Sequence, residues 1–454
     1  MVDRARSTLW YYGLSAYWFA TSFKWFILLV AVLAGQARGI VEREAQQLAA
    51  GAGFPNLPVA EAMQRFGEGA NSAWGTVFGI GAFWAIIGPS LFGWLSDRSG
   101  KRGAQRKSFI ALGAALTVVA LMVLRGADSI VVLIIGYVLL QVSDDVGTGP
   151  YGALIPELVP EDSRGRASGA MGFMQLAAQI GSAVMGFVLG SVEMIYIGIA
   201  LVNVVCAVIT VQTLRTAPAI LEENIESTGD QGFIKGWMSP WKSPDFRWVW
   251  FTRFLISFGF YLVQPYLLNY LVDRVAEPLP GGVRPSPDEA VFHLFGLTIT
   301  GATQGSLAIA LSISLFGAIG ALWAAKVTDR MGRKSVIKFS GTLMGAVLVP
   351  FALVPEFGVI MLMSIGFGFG YGAYLSADWA LAADVMPNKA EMGKDMGVWT
   401  SSVSAVQVFT GASGRAIDAG NRYAAGMGYT GSILLAAVAF FIGTILIKKV
   451  RGST

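Results

Sequence analysis

The chain has 454 residues, of which 54% are apolar and 14% charged, with a net charge of +4 and a mean hydropathy of +0.58. Soluble domains carry about a quarter charged residues, so apolar surface on this scale needs a bilayer, not water, as its solvent. A single cysteine (Cys206) and a single histidine (His293) exclude a disulfide framework and Cys- or His-cluster metal sites, and basic residues in short loops between apolar runs mark membrane orientation, not a nucleic-acid surface.

In chain order, segments near the ~20 residues that cross a ~30 Å hydrocarbon core fall at about 9–34, 73–95, 108–124, 129–155, 167–190, 192–213, 247–271, 302–326, 337–354, 357–383, 396–418 and 425–447. Each is expected to be helical, because lipid offers no partner to an unpaired backbone group. The first is too long for a signal-peptide core and lacks a small-residue cleavage site, so it stays as a span. The polar stretches 35–72 and 272–301 read as long external loops with room for short surface helices. The reading is an all-α membrane protein of 12 transmembrane helices. It has an N-terminal six-helix bundle (1–213), a cytoplasmic linker (214–246) and a C-terminal six-helix bundle (247–454). Of 33 Lys and Arg residues, 23 fall on the side of the termini, 7 on the other, and Lys24, Arg253 and Arg415 within spans. That bias places both termini in the cytoplasm.

The halves repeat. Gly93-Trp94-Leu95-Ser96-Asp97-Arg98 precedes the third span, and Ala325-Lys326-Val327-Thr328-Asp329-Arg330-Met331-Gly332-Arg333-Lys334 precedes the ninth. Ala153-Leu154-Ile155-Pro156-Glu157 closes the fourth span, and Ala380-Leu381-Ala382-Ala383-Asp384 the tenth. Two independent motifs at nearly one offset mean a duplicated six-helix unit, the arrangement in which two bundles rock about a central site.

The Gly-x-x-x-Asp-Arg elements resemble the signature of the major facilitator superfamily. Ser96-Asp97-Arg98…Lys101-Arg102-Gly103…Arg106-Lys107-Ser108-Phe109-Ile110 looks like the pattern of sucrose/proton symporters and their bacterial relatives, the glycoside–pentoside–hexuronide symporters included. Gly149-Pro150, Thr252-Arg253-Phe254 and Asp378-Trp379-Ala380-Leu381…Gly393-Lys394-Asp395 are also similar to that group. The resemblance implies two bundles working by alternating access. It also implies a conformational latch drawn from Gly93, Asp97, Arg98, Arg106, Glu157, Arg166, Asp329, Arg330, Gly332, Arg333, Asp384 and Lys394. Small residues there let helices approach, and each aspartate is suited to a helix N-terminus of the opposite bundle. One departure stands out: where plant sucrose symporters read Asp-x-x-Asn-Asn, this chain reads Gln141-Val142-Ser143-Asp144-Asp145. The family acid is Gln141 here, and a carboxylate is restored one turn away at Asp144 or Asp145.

Ionisable residues inside spans are functional candidates, because each costs a few kcal/mol at mid-bilayer unless paired or wet. Lys24 with Asp144 and Asp145, and Arg253 with Asp378, occupy equivalent places in the two halves. A proton on the span-four carboxylate would release Lys24. Gln141, Gln175, Gln179 and Gln264 supply the amide pairs that sugar hydroxyls demand. The expected function is symport of a sugar or glycoside coupled to H+, with no organic or metal cofactor, by a monomer in the cell's inner or plasma membrane. An exporter or carrier of another small solute remains open, as does a non-transporting receptor or assembly factor. No nucleotide loop, metal cluster or nucleophile–base pair points to an enzyme.

Overall fold

The computed structural model describes residues 7–98, 102–152, 154–159, 164–216, 237–280, 284–385 and 392–451. Among the described residues, eleven helices are long and apolar enough to cross a membrane. They are α1 (Thr8–Gly51), α2 (Ala70–Arg98), α3 (Arg102–Arg125), α4 (Ile130–Tyr151), α5 (Arg164–Leu189), α6 (Val192–Arg215), α7 (Pro244–Val275), α8 (Ala302–Met331), α9 (Arg333–Leu353), α10 (Phe357–Val385) and α12 (Met427–Leu446). The remaining long helix, α11 (Met392–Tyr423), runs for 32 residues and is more polar, with Arg415 and Asp418 well inside it. The expected all-α membrane fold of twelve long helices is what the described residues form, with one small β-hairpin as an addition. Most of the predicted linker lies outside the described residues.

Local chemistry sets the helix ends. Ser7, Ser129 and Ser243 cap α1, α4 and α7 by accepting from Trp10, Val132 and Phe246 backbone N–H groups, and Pro244 follows its cap at a position where no N–H is needed. Gly332 joins α8 to α9 at φ +77°, and Gly426 joins α11 to α12 at φ +80°. Both lie in the left-handed region that glycine occupies without a Cβ penalty.

Two expected loops are structured. The first helix continues past Ala34 to Gly51 because Ala37, Arg38, Val41, Ala45 and Ala49 form a buried stripe at helical spacing; a short helix, Val59–Phe66, follows. In the second, β1 (Val291–Leu294) pairs antiparallel with β2 (Leu297–Thr300), where a surface helix had room. Neither α1 nor α7 is regular throughout. A π turn interrupts α1 at Leu28–Val32, and a 3-10 turn at Gln264–Tyr266, containing Pro265, interrupts α7. These two interruptions contact each other.

Helix contacts repeat with a shift of six. In one set α1 packs on α5 and α6, α2 on α4, and α3 on α4 and α6. In the other, α7 packs on α11 and α12, α8 on α10, and α9 on α10 and α12. The sets meet through α2–α11, α5–α8 and α1–α7. Along α2–α11, a Cβ on Gly411 would lie 2.6 Å from Gly79 Cα and 2.7 Å from the Gly75 carbonyl. Backbones at this distance admit no side chain. Gly411→Leu is therefore expected to destabilise the fold by at least ~2 kcal/mol, read as a lower midpoint in detergent-induced unfolding.

Candidate functional site

Two buried ion pairs stand at equivalent places in the halves. In the first, Lys24 of α1, with no exposed surface, places Nζ 2.5 Å from Asp144 Oδ1 of α4. Thr21 Oγ1 donates to the same oxygen at 3.2 Å, and Trp25 Nε1 donates to Oδ2 at 2.7 Å. In the second, Arg253 Nη1 of α7 is paired with Asp378 Oδ2 of α10. The Arg253 guanidinium lies 3.6 Å from the ring centre of Trp399, on α11, and 5.9 Å from that of Trp379. The cations are 229 residues apart and the acids 234, so each half carries one cation on its first helix and one acid on its fourth. The charges satisfy each other away from water, which is what permits them inside the bundle.

Asp145 points elsewhere than Asp144. Its Oδ1 accepts from Gln141 Nε2 at 3.1 Å, while Oδ2 is buried with no hydrogen-bond partner among the described residues. A Cβ on Gly88 would strike this carboxyl group, so Asp145 faces α2 and Asp144 faces α1. The neighbouring Tyr17 hydroxyl, against Gly147, is likewise buried and without a hydrogen-bond partner.

The candidate amides are distributed. Gln175 Oε1 accepts from Trp18 Nε1 at 3.2 Å, and that indole stacks on Tyr151 at 6.1 Å. Gln179 accepts from Ser314 Oγ of α8 at 3.1 Å and so bridges the two sets of helices. Gln264 sits in the α7 interruption, its Oε1 without a hydrogen-bond partner among the described residues. Next to it, the freed carbonyl of Pro265 accepts from Trp74 Nε1 at 2.8 Å.

Of the expected latch set, Gly93 packs beside Gly149 of α4, and the buried Arg106 donates to the Pro150 carbonyl at 3.1 Å. Arg166 and Arg330 are exposed, Arg333 is half-buried, and Gly332 forms the α8–α9 turn. Side chains of Asp97, Arg98, Glu157, Asp329, Asp384 and Lys394 lie outside the described residues.

Sequence reasoning missed the most extensive polar network among the described residues. At the end of the bundle that carries the β-hairpin, Asp418 of α11 accepts from Asn71 Nδ2 (2.8 Å), Ser72 N (2.7 Å) and Ser72 Oγ (2.6 Å) at the start of α2. Asn71 Nδ2 also donates to the Tyr429 hydroxyl at 2.8 Å, which donates to Asp273 Oδ2 at 2.6 Å. Arg38 Nη1 closes on Asp273 at 2.9 Å and its Nε on Glu42 at 2.7 Å. Asn269 Nδ2 donates to Asn71 Oδ1 at 3.1 Å. The network joins α1 and α2 to α7, α11 and α12. A carboxylate at the first turn of a helix meets both its free N–H groups and its positive end.

Against known proteins, the model of the Major Facilitator Superfamily matches residues 10–180 and 45–280. No curated protein sequence matches the chain. Similar solved structures include the nucleoside transporter NupG (13% identity, 97% of this chain and 98% of that one, TM-score 0.64). A bacterial homologue of the human lysosomal transporter Spinster, in an inward-facing and unoccupied conformation, is similar over 96% of this chain and 98% of its own (13% identity, TM-score 0.60). The human organic anion transporter MFSD10 covers 97% and 98% at 14% identity, with a TM-score of 0.61. Likeness at this identity is a likeness of fold.

Proposed function

The chain belongs to the Major Facilitator Superfamily, and from that premise we propose that it is a proton-coupled symporter of a sugar or glycoside. It is a multi-pass membrane transporter, not an enzyme; the cargo and the coupling ion are the inference.

The observation that carries the coupling is the buried Lys24–Asp144 pair, held by Thr21 and Trp25. An ionised Asp144 balances Lys24. A proton on Asp144 removes the balance and leaves an ammonium in an apolar bundle, a state that demands new acceptors. Hydroxyls of a sugar supply them without bringing charge, and Trp18 and Trp25 offer faces for its C–H surface. Proton and sugar thus favour each other's binding, which is the condition for symport. With both termini in the cytoplasm, the network around Asp418 shuts the external side, and the expected latches at Asp97 and Asp329 act in the opposite state.

A panel of radiolabelled mono- and disaccharides, offered to proteoliposomes with and without an imposed proton gradient, tests this. Accumulation of at least one sugar at least ~10-fold above equilibrium, only with the gradient, is the expected result. Uptake of none, or uptake indifferent to the gradient, overturns it. A second reading rests on Arg253: a guanidinium stacked on Trp399 and paired with one carboxylate suits an anionic solute that takes the place of Asp378. Organic anions in the same assay distinguish the two.

A further inference from the structure

Arg415 takes no part in the arrangements above. It is exposed on α11, eight residues before that helix ends at Tyr423, about 12 Å along the axis. It makes no hydrogen bond, ion pair or ring contact among the described residues. A guanidinium at this depth, on a flank whose exposed neighbours Ile80, Phe83 and Trp84 are apolar, calls for an anion.

Beside it a furrow of about 480 Å³ runs between α2 and α11. Its floor is the close glycine contact of Gly79 with Gly411. Its walls are Ile80, Phe83 and Trp84, which are 44%, 57% and 46% exposed although apolar. The helices are antiparallel, and Asn71 pairs with Asp418, so Arg415 stands at the hairpin end of the furrow and the apolar walls extend toward mid-membrane. One charge toward the surface and an apolar trough beneath it match a phosphate ester with an acyl chain.

We propose that this furrow is a specific binding site for a glycerophospholipid, whose phosphate pairs with Arg415 and one of whose acyl chains lies along α2 between Ile80 and Trp84. The lipid covers the α2–α11 seam, one of those at which the two sets of helices meet. It is distinct from the transported solute, since Ile80, Phe83 and Trp84 lie on the side of α2 away from Trp74 and Phe78, which pack on α7.

The test is native mass spectrometry of the full chain in detergent, titrated with palmitoyl-oleoyl phosphatidylglycerol or with diacylglycerol of the same chains. Phosphatidylglycerol is expected to bind and diacylglycerol to bind at least ~10-fold more weakly. Arg415→Gln should weaken phosphatidylglycerol about tenfold, Ala412→Phe should do the same by filling the furrow, and Arg415→Lys should stay within about threefold. Arg125→Gln, at the same end on another face, should leave binding unchanged. Diacylglycerol binding as tightly as phosphatidylglycerol, or wild-type affinity in either Arg415→Gln or Ala412→Phe, overturns the proposal. Intact folding of each variant is read from the same spectra and from thermal unfolding.

Discussion

A Lys24→Gln/Asp144→Asn double variant is expected to fold as well as the parent and to lose gradient-driven accumulation by at least ~100-fold. The single variants set the comparison. Asp144→Asn leaves Lys24 buried and uncompensated, and breaking a buried pair in this way costs about 3–5 kcal/mol. Asp144→Asn is therefore expected to unfold at lower temperature, and Lys24→Gln to do so by a similar margin. The double variant keeps near-isosteric amides at both places: the amide oxygen at position 144 still accepts from the Trp25 indole, the amide nitrogen donates to the Thr21 hydroxyl, which turns from donor to acceptor, and the stability returns. A purely architectural pair predicts that transport returns with stability. A coupling pair predicts that it does not, because neither amide takes up a proton near neutral pH. Downhill exchange with equal sugar on both sides should survive in the double variant. Gradient-driven accumulation in that variant at the parent's level would remove Asp144 from the mechanism.

Asp418→Ala is expected to produce the second-largest effect, and on conformation rather than on chemistry. The carboxylate holds three donors from α2. Hydrogen bonds to a charged group contribute about 1.5–3 kcal/mol each, and part of that returns as water replaces it. A net loss of ~3 kcal/mol shifts the balance between closed and open hairpin ends about 100-fold. Spin labels on the exposed residues Glu68 and Tyr423, one in each half, measure it: the distance distribution should gain a longer population in Asp418→Ala and in Arg38→Ala. Asp418→Glu should lie between parent and Ala. An unchanged distribution in both alanine variants would mean that the network only adds rigidity.

What was legible in advance follows from what lipid enforces. Length and apolarity gave the spans, because an unpaired backbone group has no refuge in hydrocarbon. The ionisable residues Lys24, Asp144, Arg253 and Asp378 stand out because they interrupt apolar runs. Their pairing was also legible, since each half offered one cation on its first span and an acid on its fourth. The network around Asp418 was not. Asn71 and Asp418 are 347 residues apart, and nothing local to either announces the other. Arg38 and Asp273 fell in stretches read as loops, because the apolar run ended before the helix did. The stripe of Ala37, Val41, Ala45 and Ala49 was the available signal, and small residues give it too little weight to register as a helix face. Arg415 reads as a charge inside a span, but the furrow beside it depends on two helices drawn from different halves.

The π turn in α1 explains how one helix serves both charged centres. Lys24 and Arg38 are fourteen positions apart, which on an uninterrupted α-helix leaves them within about 40° of the same direction. A single π turn adds one residue and rotates everything beyond it by about 100°. Lys24 can then address Asp144 inside its own half while Arg38 addresses Asp273 in the other. The extra residue at Leu28–Val32 works as a phase shifter, and its removal would turn the Lys24 and Arg38 side chains toward one side of the helix, so that only one of them could keep its carboxylate.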